Sequence, residues 1–262
     1  MRFNNKTKLF LSASSSPTNF GVTIYNQLFK TYDINAVYLP RKVITANELI
    51  DSIKCLSIAG CSVSMPLKDK VINYLDNLDE LAEKTNSVNT IVNQDGKLTG
   101  YNTDCFGAQT VLEKTNPKSV IIYGAGSVTN SVITALKNIN CTNISLVNRT
   151  DSKANLLIDK YELNHDVPSS FYDLLINTTP SSNDINNFQL FSLLERAKSL
   201  LDLVVSPLET ALVKQANVKN LSVINGIEMS KYQLQKQFFI YTKVFPALKD
   251  IEISLESYNL NS

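Results

Sequence analysis

The amino-acid sequence predicts an α/β protein of two domains, and three observations carry that prediction. Short apolar runs rich in β-branched residues alternate with helical patterns, as when strands are laid mainly parallel by crossover helices. The length, 262 residues, exceeds what one hydrophobic core usually serves. A Pro-containing break at Asn116-Pro117 separates two such alternations. The expected division is a first, substrate-binding domain over 1–116 and a second domain over 117–227. A helical C-terminus from about 228 to 262 would pack back on the first domain, and the cleft between the two domains is the expected site.

In chain order, the first domain should place strands at Lys8–Ala13, Ala36–Leu39, Cys55–Val63 and Val88–Val92. Phe20–Thr31 reads as a helix because Val22, Tyr25, Leu28 and Phe29 fall on one face. Lys68 should begin a helix after Pro66, and another starts around Thr103. The dipeptide Asp95-Gly96 lies between two extended pieces of VNTIVNQDGKLTGYN and predicts a β-hairpin. Strands of the second domain are expected at Ser119–Tyr123, Asn143–Val147, Leu174–Thr178, Leu200–Val205 and Leu221–Ile224. Ser131–Asn138 is helical on the spacing of Val132, Ile133 and Leu136. A long helix runs from Glu228 to Val244, and Pro246 starts a last one with Leu248, Ile251 and Leu255 on one side.

Composition narrows the function classes. With 25 Lys+Arg against 24 Asp+Glu and a formal charge of +1, nothing draws the chain to nucleic acid or an anionic membrane, so the expected partner is a small molecule. Cys55, Cys61, Cys105 and Cys141 form no CxxC pair, and His165 is the single histidine, which argues against a metal site. The cysteines read as small buried residues in a reducing compartment. MRFNNKTKLF lacks a signal-peptide core and no apolar run approaches about 18 residues, so a cytoplasmic location is expected. Monomer and homodimer are both compatible with this composition.

The most specific local signal follows the strand VIIY. In GAGSVTNSVITAL, Gly124, Ala125, Gly126 and Ser127 open a helix as a G-x-G-x-x-G/A fingerprint would, with Thr129 in the third small position. Gly124 permits the tight turn, Gly126 lets a pyrophosphate approach the backbone, and the helix N-terminus offers amides and positive dipole. This is the Rossmann pattern for a dinucleotide. An NAD site usually carries an acidic residue at the end of the next strand, but here the chain reads NRTDSK. Asn148, Arg149, Thr150 and Lys153 suit a 2′-phosphate, so NADP is the expected cofactor. Asp151 reads as part of the helix start.

Three segments of the first domain join that fingerprint: VSMPLK ending at Lys68, SVNTIV around Asn89, and GYNTD ending at Asp104. Together with GAGSVTN, NRT, INTTP and NGIEMSKYQ, in this order and spacing, they resemble shikimate dehydrogenases over nearly the whole chain. SPTNFG and GCSVSMP look particularly like the shikimate dehydrogenase-like subgroup. The residues themselves fit such chemistry. Interconverting a secondary alcohol and a ketone needs a hydride carrier and a group that moves the hydroxyl proton. A lysine can move it, although its reference pKa of about 10.4 is lowered by burial and raised by a nearby carboxylate, which leaves the pair's proton state open. The resemblance implies Lys68 as acid/base and Asp104 as the residue that orients and polarises the network.

Substrate contacts follow the same two lines. Ser12 and Ser14 alternate at the end of a strand and can bind a carboxylate with two hydroxyls, as the family's paired serines do; Ser14 and Ser16 show the same spacing. Ser64 stands where the family usually has a threonine, Asn89 offers donor and acceptor, and Gln233 resembles the family glutamine that reaches the substrate. Asn177, Thr178 and Gly226 match segments that border the nicotinamide, with Met229 as readily core as contact. Val205 replaces a tyrosine common in the family, a loss the subgroup shares. The expected function is NADPH-dependent reversible reduction of 3-dehydroshikimate to shikimate. The alternatives are a related substrate such as quinate, a dehydrogenase of similar architecture acting on methylene-tetrahydrofolate, or a cofactor-binding sensor with little turnover.

Overall fold

The computed structural model describes residues 3–259. The chain divides into two compact units, Met1–Phe106 with Lys231–Ser262, and Gly107–Ser230. The first division falls inside the helix Thr103–Thr115 rather than at Asn116-Pro117, and Asn116, at φ 43°, ends that helix.

The first unit contains β1 (Lys8–Ser14), α1 (Phe20–Thr31), β2 (Ala36–Lys42), α2 (Ala46–Cys55), β3 (Gly60–Val63), β4 (Asn77–Leu78), α3 (Glu80–Thr85), β5 (Thr90–Gln94), β6 (Lys97–Tyr101) and the start of α4 (Thr103–Thr115). Its six-stranded sheet has the order β2-β1-β3-β5-β6-β4. β1 pairs parallel with β2 and β3, and β4 with β6, whereas β5 runs antiparallel to both neighbours. Asp95 and Gly96, at φ 52° and 88°, turn the β5–β6 hairpin, the two left-handed positions that a tight hairpin needs.

Period-two alternation gives this sheet two unlike faces. Leu11 and Ala13 of β1, with Cys61 and Val63 of β3, join Leu49, Ile50 and Ile53 of α2 in an aliphatic core. On the other face Phe10, Tyr25, Phe29, Tyr38, Phe238 and Tyr241 form a ring cluster, with Tyr25 and Tyr38 stacked at 4.6 Å. Gly60 is required there, because a Cβ would stand 2.7 Å from the Tyr241 ring. Ser12, Ser14 and Ser62 continue the aromatic face toward the C-terminal strand ends.

Two local expectations are corrected. The strand expected at Cys55–Val63 is only Gly60–Val63, because Cys55 closes α2 and Ser57 turns the chain at φ 48°. Thr45 and Glu48 form a capping box that starts α2, a signal the apolar run masked. Lys68 does not begin a helix. Leu67 N–H bonds Ser64 O at 3.0 Å and Val71 N–H bonds Leu67 O at 3.1 Å, a run of turns that becomes a short 3₁₀ helix only at Ile72–Tyr74.

The second unit contains β7 (Ser119–Tyr123), α5 (Ser127–Asn138), β8 (Asn143–Val147), α6 (Asp151–Tyr161), β9 (Tyr172–Asn177), α7 (Phe188–Leu194), β10 (Ala197–Asp202), α8 (Ala211–Val218), β11 (Ser222–Asn225) and the start of α9 (Gly226–Thr242). The five strands are all parallel in the order β11-β10-β9-β7-β8. Crossovers from β7 go first to β8 and then back to β9 on its other side, so the strand order reverses at β7, where open α/β sheets bind ligands. The rest of α9 and α10 (Leu248–Asn259) belong to the first unit.

Candidate active site

In the first unit the ends of β1 and β3, the turn after β3, the lead into β5 and the start of α4 converge. Lys68 Nζ lies 2.5 Å from Asp104 Oδ2, and both side chains are 15% exposed. Asp104 keeps its carboxylate for this contact because Asn102 caps α4: its Oδ1 accepts from Cys105 N–H at 3.0 Å. Asn89 Nδ2 donates to the other Asp104 oxygen at 2.8 Å. Asn89 Oδ1 accepts from Thr103 N–H at 2.9 Å, which fixes the amide's orientation, since that N–H can only donate. Gln233 Nε2 donates to Thr103 Oγ1 at 3.1 Å.

These residues share a cavity of about 260 Å³ with Ser12, Ser14, Ser16 and Ser64. The cavity thus gathers Lys68, Asp104, Asn89, Gln233 and every serine considered for the carboxylate. Ser14 is buried, whereas Ser16 is exposed. One end carries the lysine–aspartate pair, and the other is lined with neutral hydroxyls that can donate to a carboxylate without a counter-charge.

Sequence reasoning did not find the floor of this cavity. Tyr38 OH donates to Ser62 Oγ at 2.5 Å, Ser62 Oγ donates to Gln237 Oε1 at 2.8 Å, and Tyr25 OH bonds the same oxygen. Burial raises the hydroxyl pKa of Tyr25, Tyr38 and Tyr241, so all three are neutral donors. Cys61, under the same sheet, is pushed up to about 12 by burial. Gln237 lies one helical turn beyond Gln233, the spacing that would have marked it.

The second unit holds the nucleotide signals. Gly124 sits at φ 118°, and a Cβ there would stand 2.4 Å from Thr178 Oγ1. Gly126 precedes α5, and a Cβ there would meet nothing within 4 Å, so its backbone is open to an approaching group. Ala125 and Ser127 are partly exposed around it. Thr129 is fully buried: its hydroxyl donates to Gly124 O at 3.1 Å, accepts from Gly126 N–H at 3.1 Å and lies 2.9 Å from Thr178 Oγ1. The fingerprint's third position therefore staples the turn with a hydroxyl. Gly226 brings α9 against β10's end, where a Cβ would stand 2.6 Å from the Leu203 backbone. Asn177 donates to Asp202, Ser182 and Thr179, an internal tie, and Met229 is buried.

A cleft of about 640 Å³ is lined by Asn148 and Arg149 together with Tyr123 and Thr179–Ser181. Thr150 and Lys153 do not line it. Thr150 precedes α6, its carbonyl accepting from Asn148 Nδ2 at 2.9 Å, and Lys153 is exposed in the first turn. Asp151 is the first residue of α6.

Among the described residues no helix is long and apolar enough to cross a membrane, and no cluster of three or more His, Cys, Asp or Glu could hold a metal ion. Of the cysteines, three are buried but Cys55 is exposed, contrary to the uniform burial expected.

Residues 11–91 match the shikimate dehydrogenase substrate binding domain, and residues 107–205 match shikimate / quinate 5-dehydrogenase. A shikimate dehydrogenase (NADP(+)) of Pyrococcus abyssi is 36% identical over 240 residues, with 88% of this chain and 89% of that protein covered. A shikimate dehydrogenase-like protein of Haemophilus influenzae is 28% identical, with 93% and 94% covered. A crystal structure of a shikimate dehydrogenase in complex with NADP+ superposes with a TM-score of 0.86 at 31% identity, covering 98% of this chain and 97% of that one.

Proposed function

Because the chain belongs to the shikimate dehydrogenase family, we propose that it catalyses the NADPH-dependent, reversible reduction of 3-dehydroshikimate to shikimate. The observation that carries this reading is the 2.5 Å Lys68–Asp104 contact in a cavity whose other wall is serine-lined. Reduction adds a hydride to the carbonyl carbon and a proton to its oxygen. Lys68 supplies that proton and takes it back in the oxidation. Asp104 holds the ammonium in place and, with Asn89 behind it, orients the reacting oxygen. Ser12 and Ser14 hold the substrate carboxylate, with Ser14 and Ser16 as the shifted pair, while Ser64 and Gln233 take ring hydroxyls.

NADPH, when bound, supplies the hydride. The second unit has a cradle that fits it. Gly124 makes the tight turn and Gly126 leaves the backbone bare at the start of α5, and Arg149 and Asn148 line the adjacent cleft where a 2′-phosphate needs donors. Thr178 and Gly226 shape the strand ends beside the turn, and Thr150 just before α6 and Lys153 in its first turn remain available to the phosphate. The first unit with the C-terminal helices is the substrate domain in this reading, and the second is the nucleotide domain. Free cysteines support a reducing, cytoplasmic location. Monomer and homodimer both accommodate the reading.

Quinate or a related polyhydroxycyclohexane carboxylate is the second reading, favoured by Val205 where the family commonly carries tyrosine. NADPH oxidation followed by absorbance with 3-dehydroshikimate tests the first, and NADP+ reduction with quinate tests the second. Turnover on 3-dehydroshikimate that Lys68→Ala abolishes is expected. Nucleotide binding without turnover on either substrate would overturn both in favour of a sensor.

A further inference from the structure

Behind the Lys68–Asp104 pair runs a buried chain of hydrogen bonds whose direction is fixed by groups that work only one way. Gln237 Nε2 faces Asn89 O at 3.4 Å, and a carbonyl can only accept, so this end of Gln237 is the amide nitrogen. The same Nε2 donates to Thr90 Oγ1. Thr90 must then spend its single proton elsewhere, and it donates to Asn89 Oδ1 at 2.8 Å. The Thr103 N–H fixes Asn89 in the same sense, so Nδ2 points at Asp104. At the far end Ser62 and Tyr25 donate to Gln237 Oε1. Thr90, Asn89 and Gln237 are buried, at 0%, 4% and 2% exposure, so these bonds are largely shielded from bulk water.

Resting on the function proposed above, we infer that Gln237 is a positioning residue that acts through Thr90 and Asn89 to hold Asp104 as the acceptor facing Lys68. Both ends of its amide are committed to protein groups, although it borders the substrate cavity. Without its N–H on Thr90, the threonine proton is free to leave Asn89, and Asp104 loses part of the support for its charged form.

The test uses Gln237→Met, Thr90→Val, Thr90→Ser and the Gln237→Met/Thr90→Val double variant, with kcat and KM measured across pH. Thr90→Val is isosteric and keeps the test alive if Gln237→Met folds poorly. Expected are a roughly tenfold fall in kcat, KM within about twofold, and an acid limb displaced to higher pH in both single variants. Thr90→Ser should restore wild-type behaviour, and the double variant should be no worse than either single one. A raised KM in Gln237→Met with Thr90→Val silent would overturn the inference in favour of direct substrate contact. A lowered Tm with an unmoved pH profile would overturn it in favour of a purely structural role. If the wild type turns over neither substrate, the functional reading fails. The inference is then decided by the pH midpoint of the Asn89 side-chain amide signal in 1H–15N spectra: a higher midpoint in Thr90→Val supports it and an unchanged one overturns it.

Discussion

The two candidate sites are built from opposite materials. The Lys68–Asp104 cavity is made of side chains, several of them held by a partner: Asn89 on Asp104, Gln233 on Thr103, Ser62 on Gln237. The turn before α5 is made largely of side chains left out, where Gly124 lets the turn close against Thr178, Gly126 exposes backbone and Thr129 braces both from behind. A site that moves a proton needs functional groups at fixed distances, so its sequence is polar and specific. A site that cradles a phosphate needs bare amides at a helix start, and what it excludes matters more than what it contains.

Four substitutions sharpen or break that contrast. Asp104→Asn should have the largest effect, lowering kcat by about a hundredfold or more while nucleotide affinity, read by fluorescence titration, stays unchanged. A matching loss of nucleotide affinity would mean that the two sites are not separable. Gly124→Ala should do the reverse. The Cβ meets Thr178 at 2.4 Å and the left-handed backbone costs roughly 1–3 kcal/mol, so nucleotide Kd should rise at least about tenfold with substrate binding retained. Arg149→Ala should weaken NADPH by about tenfold and leave NADH little changed; equal losses would refute a phosphate contact.

The smallest effect tests the frame rather than a site. Asp173 accepts from Lys198 Nζ and from the N–H groups of Lys118 and Ser119, and these hold its carboxyl at about 2. Its folded value lies below the unfolded one of about 3.9, so its stabilisation is present above that pH and is lost as pH falls toward 2. Asp173→Asn should therefore lower Tm slightly at pH 7, and the gap should close between about pH 4 and 2. A gap independent of pH would remove the charge from the explanation.

The contrast also explains what the sequence disclosed. The second unit's strands at Ser119–Tyr123 and Asn143–Val147 were legible because parallel strands buried on both faces read as unbroken apolar runs. Cys55–Val63 was misread because Ile58 continues the apolar pattern of α2 across a turn that no glycine or proline marks. Lys68 and Asp104 stood out by the order of their motifs, yet their helix-start setting held for Asp104 alone. Gln237, Thr90, Ser62 and Tyr38 were invisible as a group. They come from α9, β5, β3 and β2, and only the register of the sheet and the path of α9 bring their polar atoms together.

The cap on α4 has a practical side. Since Asn102 starts that helix, the residue two positions later carries no duty toward the backbone at its N-terminus. Position 104 can lose its charge without unwinding the element that presents it. Asp104→Asn should thus give a slowed but intact protein, suited to holding the substrate and nucleotide together for crystallography.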